Sequence, residues 1–99
     1  MAEVLTEIEE LRRRIDIIDD QLVRLLNVRV ACALEIGDLK HDMGLPVYQP
    51  EREAQVLEQV RTSATRLAGP LEAAAVVRIF ERIIDEARRA ERVAPTRRS

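Results

Sequence analysis

Apolar residues recur every three or four positions along the N-terminal part of the chain. This spacing is the period of one face of an α-helix. The stretch contains no proline, and its single glycine, Gly37, lies near the far end. The pattern therefore predicts one uninterrupted amphipathic helix over residues 4–43. The apolar positions are Val4, Ile8, Leu11, Ile15, Ile18, Leu22 and Leu25, continued by Cys32, Ile36 and Leu39.

Glycine and proline divide the rest of the chain into two shorter helices. The first helix is expected to stop at Gly44 and Pro46, because glycine adopts the left-handed conformation that ends a helix and proline cannot continue one. A second helix is predicted over residues 50–67 and a third over residues 70–92, each opened by a proline, and residues 93–99 are expected to fray. Apolar or small positions predicted to face the core are Leu57, Val60, Ala64 and Leu67, then Ala73, Val76, Phe80, Ile83 and Ala87.

The length of the first helix bears on assembly. About 39 residues at 1.5 Å each span roughly 58 Å, whereas a compact chain of this size is well under about 40 Å across. The remaining residues cannot cover the apolar face alone, and an exposed face of that length is an association surface. We therefore expect an all-α homodimer with three helices per chain, built on paired long helices. The alternative is a break near Asn27 that folds the chain into a four-helix monomer.

Composition narrows the class of protein. The 99 residues make one small domain, 46% hydrophobic and 34% charged with one Phe, one Tyr and no Trp, which suits an aliphatic helical bundle. A net charge of −2 disfavours a nucleic-acid binder, which usually carries a basic surplus. No apolar run reaches 18 residues and no signal peptide precedes the first helix, so a cytoplasmic protein without a membrane span is expected. Cys32 is expected to pack as a small thiol in the apolar face.

Charged residues occupy positions where the apolar pattern predicts a core. Arg29 interrupts the series of the first helix, and the stripes of the second and third helices, extended, reach Glu53 and Glu91. Lys40 lies eleven positions after Arg29, so the two differ by about 20° around the helix and share a face. Because a lone buried charge is costly, together these residues indicate a polar pocket for a small anionic ligand. Two plainer interpretations stay open, a salt-bridge network among these residues or positions on solvated faces.

Arg12 cannot join that pocket within its own chain. It lies seventeen positions before Arg29, about 100° away around the helix and roughly 25 Å away along it. In an antiparallel pairing of long helices, the Arg12 of a second chain could reach the pocket centred on Arg29.

Four fragments of the chain resemble, in order, the signatures of the all-helical (AroQ-type) chorismate mutases. Residues 11–19, LRRRIDIID, are similar to the family's opening LRxxIDxID, and residues 25–29, LLNVR, to its LLxxR. Residues 35–40, EIGDLK, resemble its xIGxxK, and residues 46–53, PVYQPERE, its PVxxxxRE. Each fragment alone is weak, but four at the family spacing form a specific signal that covers nearly the whole chain.

The resemblance implies an intertwined homodimer with two equivalent sites that convert chorismate to prephenate, an isomerase reaction of the shikimate pathway to aromatic amino acids. By resemblance, Arg12 from the partner chain and Arg29 would bind the substrate carboxylates. Lys40 would donate to the ether oxygen and a nearby carboxylate. Glu53 would accept a hydrogen bond from the ring substituent at C4, and Arg52 would help to hold the carboxylates. Because the reaction is pericyclic, no metal, cofactor or nucleophile is expected.

Three positions depart from the bacterial pattern of the family. Gln49 stands where an Asp is common, Ala87 replaces a Ser near the substrate, and Glu91 replaces a Gln that donates to the ether oxygen; all three are expected to line the site. A carboxylate only accepts hydrogen bonds, so Glu91 must be protonated to act as that donor. Burial beside the substrate carboxylates favours the neutral acid, whereas Lys40 and Arg29 oppose it.

Other functions of the same scaffold stay open. The first is that of a 4-amino-4-deoxychorismate mutase of an antibiotic pathway, because Glu53 and Glu91 would tolerate an amine at C4. An isochorismate pyruvate lyase is disfavoured by the Arg52-Glu53 pair, since such lyases tend to lack that Glu. A non-catalytic helical dimer would not need Arg12, Arg29, Lys40 and Glu53 together. Whether a partner enzyme activates the protein by contacting its C-terminus also stays open.

Overall fold

The computed structural model describes residues 1–46 and 48–93. Within these residues the chain forms three helices and no strand: α1 (Ala2–Asp42), α2 (Pro50–Leu67) and α3 (Ala73–Val93). The predicted all-α class and the number of helices are confirmed. The chain divides into two compact units, Met1–Ala31 and a second that begins at Cys32. Residues 94–99, most of the segment expected to fray, lie outside the described part.

α1 is continuous from Ala2 to Asp42, so the alternative of a break near Asn27 is wrong. Its end is a glycine stop. Gly44 adopts a φ of +69°, and its N–H donates to the carbonyl oxygen of His41 at 3.1 Å. The N–H of Leu45 donates to the carbonyl oxygen of Lys40 at 2.8 Å. These two bonds form a Schellman motif, which satisfies carbonyl groups that the end of a helix otherwise leaves unpaired.

No side chain of α1 is buried. The leucines and isoleucines of its predicted apolar face are partly exposed throughout, from 38% at Ile8 to 65% at Leu25. Cys32 is also exposed, which corrects the expectation of a packed thiol. The physical reason is that a single chain leaves uncovered the face on which Cys32 lies. No helix in the described residues is long and apolar enough to span a membrane.

The core of the second unit lies between α2 and α3. Its buried hydrophobic residues are Val77, Ile84 and Ala87, each at most 9% exposed. The predicted stripe of α3 is therefore correct at Ala87 but slightly misplaced, since Phe80 and Ile83 are only half-buried. Val77 and Ile84 each lie one position after the stripe residues Val76 and Ile83, so the inward face is rotated around the helix from the one that the stripe implied.

The connection between α2 and α3 is longer than predicted. α2 ends where Ala68, with a φ of 39°, donates its N–H to the carbonyl oxygen of Ala64 at 3.2 Å. α3 begins at Ala73, not at residue 70. The carbonyl oxygen of Glu72 accepts the first hydrogen bonds of the helix, from the N–H groups of Ala75 and Val76 at 3.0 and 3.1 Å. Pro70 thus lies in the connection and does not open the helix.

The burial of Ile84 predicts a large effect on stability. Ile84→Ala removes packed methyl groups and should lower the free energy of unfolding by about 2–4 kcal/mol, measured by urea denaturation. Leu67→Ala removes as many carbons from a side chain that is 69% exposed, and should change it by less than about 1 kcal/mol. Equal losses in the two variants would show that this core is misplaced.

Candidate active site

Charged and polar side chains from three segments meet in the second unit. Lys40 lies in the last turn of α1, Gln49 directly precedes α2, and Glu53 lies in the first turn of α2. Arg88 and Glu91 come from the last two turns of α3. We call these residues, Lys40, Gln49, Glu53, Arg88 and Glu91, the charged cluster. Glu53, near the start of α2, contacts Arg88, near the end of α3, so the two helices run antiparallel.

Gln49 connects the end of α1 to the start of α2. Its side-chain oxygen accepts a hydrogen bond from Lys40 Nζ at 3.0 Å. Its carbonyl oxygen accepts hydrogen bonds from the N–H groups of Arg52 and Glu53, at 3.1 and 3.3 Å. Its side chain makes no helix-capping bond. Gln49 therefore begins α2 through its backbone and positions the Lys40 amine through its side chain.

Glu53 and Arg88 form a bidentate ion pair between α2 and α3. Arg88 Nη2 donates to Glu53 Oε1 at 2.6 Å, and Nε donates to Oε2 at 2.9 Å. The guanidinium also lies 5.7 Å from the centre of the Tyr48 ring, within the range of a cation–π contact. Hydrogen bonding to Glu53 raises the pKa of Arg88, so this cation keeps its charge at any working pH. Two parallel bonds fix the orientation of the carboxylate as well as its position.

Glu91 is the acid of the cluster whose pKa is raised. Burial is the largest cause of its raised pKa, and the negative charge of Glu53 raises the pKa further. The positive charges of Lys40 and Arg88 oppose this shift. Of the two cations expected to oppose the neutral form, Lys40 does so and Arg29 is not among the causes of the shift; the second opposing cation is Arg88, which the sequence pattern did not indicate. A carboxyl group in this environment holds its proton to a higher pH than an exposed glutamate does.

Four candidate residues are not members of the charged cluster: Arg12, Arg29, Arg52 and Ala87. Arg52 is exposed, and its Nη1 donates to Gln55 Oε1 on the same helix at 2.7 Å. Ala87 is buried, 6% exposed, in the core of the second unit. Arg12 and Arg29 belong to the first unit, where Arg12 is exposed and Arg29 half-buried. Of the eight predicted site residues, the structure brings four together: Lys40, Gln49, Glu53 and Glu91.

Arg88 is the member of the cluster that sequence reasoning missed. The alternative that the predicted charges pair with one another is wrong for Glu53, because its partner is Arg88, which is not in the predicted set. A sequence signal was present, because Arg88 lies one turn after buried Ile84 and three positions before Glu91. An inward face centred on Ile84 would have placed Arg88 beside Glu91.

The fold and the charged cluster define an all-helical protein with a polar site where the ends of its helices meet. The chain also matches the model of the family "Chorismate mutase type II" over residues 11–92. This match covers most of the chain, and the chain belongs to that family.

Known relatives agree with this assignment. A bifunctional chorismate mutase/prephenate dehydratase of Aquifex aeolicus is 38% identical over 81 residues, which are 81% of this chain and 22% of the relative. The T-protein of Enterobacter agglomerans is 40% identical over 68% of this chain and 18% of its own length. The chain thus spans about a fifth of these two relatives.

A solved structure also matches. The chorismate mutase (Form II) of Thermus thermophilus superposes with a TM-score of 0.81 at 29% identity, over 88% of this chain and 96% of that one. The three-helix arrangement is therefore that of a known chorismate mutase fold.

Proposed function

We propose that this protein is a chorismate mutase, an isomerase that rearranges chorismate to prephenate on the way to aromatic amino acids. The observation that carries the proposal is the meeting of Lys40, Glu53 and Glu91 in a chain of the chorismate mutase type II family. Relatives described as chorismate mutases support the same activity.

The reaction breaks a C–O bond as it forms a C–C bond, and negative charge grows on the ether oxygen. The protein has to hold the flexible enolpyruvyl arm over the ring and to stabilise that charge with fixed donors. Lys40 has three ammonium protons, and Gln49 accepts a hydrogen bond from one of them, so two remain for the substrate. Glu91 in its neutral form supplies a second donor to the ether oxygen. No metal or cofactor takes part.

Arginines bind the two carboxylates of the substrate in the proposed complex. A guanidinium matches a carboxylate in geometry and stays charged, so Arg29 and the Arg12 of a second chain are suited to this role. Arg52 contributes to the same electrostatic environment. Ala87 lies one helical turn before Glu91 on α3, and in the proposed complex its small side chain leaves room for the substrate. Glu53 accepts a hydrogen bond from the C4 hydroxyl, because each carboxylate oxygen bound by Arg88 retains a second lone pair.

The functional unit that we propose is a single domain over residues 1–99, paired in an intertwined homodimer. The support is the apolar face of α1, on which Leu11, Ile15 and Leu22 are each more than 50% exposed. An apolar surface of this length is stable in water when a second helix covers it. In such a dimer each site takes Arg12 from the partner chain. We further propose a cytoplasmic protein that binds neither nucleic acid nor membranes.

The reaction is tested by product analysis. The purified protein is incubated separately with chorismate, isochorismate and 4-amino-4-deoxychorismate, and the products are identified by mass spectrometry and a pyruvate assay. We expect prephenate from chorismate and no free pyruvate from any of the three compounds. Pyruvate released from isochorismate would identify a lyase, and a chain that acts on none of the three would exclude the enzyme.

The raised pKa of Glu91 predicts the pH dependence of the reaction. The protonated form donates, so kcat/KM should be highest below the pKa of Glu91 in the free enzyme and fall as the pH rises through it. Because burial raises this pKa, the fall should begin above the ordinary glutamate value of about 4.3. Glu91→Gln carries a permanent amide donor and should flatten the profile. An identical profile in this variant would exclude the donor role.

Sharing of sites between chains is tested by mixing two inactive variants. Arg12→Ala and Arg29→Ala should each lower kcat/KM by about 100-fold or more, because each removes a carboxylate contact from every site. When the two variants are refolded together in equal amounts, half of the dimers are heterodimers, and each heterodimer has one intact site of two. Roughly a quarter of wild-type activity should therefore return.

The neighbouring Arg13 provides the matched control for this experiment. Its exposed side chain pairs with Glu10 of the same helix, so Arg13→Ala alone should retain activity. Heterodimers that are seen by native mass spectrometry but have no activity would contradict sites shared between chains.

A further inference from the structure

Arg88 is the member of the charged cluster for which the proposed function has no role. Its guanidinium is nevertheless held from three sides. Glu53 binds it through two hydrogen bonds of 2.6 and 2.9 Å, the Asp85 carboxylate lies 3.7 Å away, and the Tyr48 ring centre lies 5.7 Å away. A long side chain loses conformational freedom when it is fixed in this way, and one surface ion pair gives little stability in return.

The pairing changes what Glu53 attracts. An unpaired carboxylate binds an ammonium group more strongly than a hydroxyl, because the ammonium carries a full positive charge. Once Arg88 is bound, the pair has little net charge, yet the Glu53 oxygens retain lone pairs that a neutral hydroxyl donor can use. A second cation brought to the same carboxylate is repelled by the fixed guanidinium. Repulsion against the wrong partner is a recognised route to specificity.

We propose that Arg88 is a specificity-determining residue: by pairing with Glu53, it makes this end of the site select a hydroxyl at ring C4 and reject an ammonium there. The inference rests on the proposed function, in which Glu53 contacts the C4 substituent. 4-Amino-4-deoxychorismate differs from chorismate at this substituent and carries an ammonium at neutral pH. A comparison of the two compounds therefore tests the effect of a positive charge at this position.

The experiment measures the ratio of kcat/KM for chorismate to kcat/KM for the amino analogue at pH 7. In Arg88→Gln the positive charge is lost and Glu53 keeps its full negative charge, so the ratio should fall at least tenfold, about 1.4 kcal/mol. Arg88→Lys retains the cation, and its ratio should stay within about threefold of wild type. Should Arg88→Gln not fold, as judged by circular dichroism, Arg88→Leu keeps the packing of the stem and removes the same charge.

The adjacent arginine supplies the matched control. Arg89 is exposed on the same helix and contacts Glu86 at 3.6 Å. Arg89→Gln changes the net charge of the protein as much as Arg88→Gln does, so it should leave the ratio unchanged. If Arg88 served only to join α2 to α3, both substrates would lose kcat/KM together. An unchanged ratio in Arg88→Gln would therefore overturn the specificity role.

Binding measurements separate this inference from the proposed function. Dissociation constants for both compounds are determined by calorimetry for the wild type and each variant. A wild type that binds both compounds but rearranges neither would refute the mutase activity alone. The specificity role would then be tested by the ratio of the two dissociation constants, which Arg88→Gln should change at least tenfold in favour of the amino analogue. A wild type that binds neither compound would refute the specificity role and the mutase activity together.

Discussion

Antiparallel packing of α2 on α3 is the constraint from which the candidate site follows. The apolar contact around Val77, Ile84 and Ala87 brings the first turn of α2 beside the last two turns of α3. Those turns carry Glu53 on one helix and Arg88 and Glu91 on the other. A helix pair with a different register would separate these groups by one turn, about 5.4 Å, which is too far for a hydrogen bond.

Charge compensation within the cluster is incomplete. Glu53 is paired by Arg88, whereas Lys40 is bound by Gln49, which is neutral and does not compensate its charge. Glu91 is left partly buried beside Glu53, with Lys40 and Arg88 offsetting only part of that unfavourable environment. Such a group takes up a proton at a higher pH than an exposed glutamate does. This is the pattern expected of residues placed for chemistry and not for folding alone.

Much of the fold could be predicted because its determinants are local. The period of apolar residues defined α1, and Gly44 marked its end through a backbone conformation that glycine adopts readily. Pro50 marked the first residue of α2 for a similar reason. The start of α3 could not be read in this way, because Pro70 is compatible with both a loop and a first turn. The hydrogen bonds of Glu72 decided between them.

The candidate site was predictable only in part because pairing depends on tertiary contacts. Lys40, Glu53 and Glu91 stood out as charges on apolar faces, and they do lie in one cluster. The partner of Glu53 lies 35 positions away, and choosing it requires the rotation of α3 about its axis. An error of one residue in the inward face was enough to hide Arg88. Cys32 was misjudged because its burial depends on what covers α1, which no pattern within the chain specifies.

The turn after α1 links the position of the Lys40 amine to the course of the backbone. Lys40 offers its amine to Gln49, while its carbonyl oxygen is the acceptor that closes the helix through Leu45. A Cβ at Gly44 would meet no atom within 4 Å, so the requirement for glycine there is conformational and not spatial. A longer or shorter segment between Leu45 and Gln49 would consequently change the position of the Lys40 ammonium group. A change of loop length therefore alters the position of this amine while Glu53, Arg88 and Glu91 keep theirs.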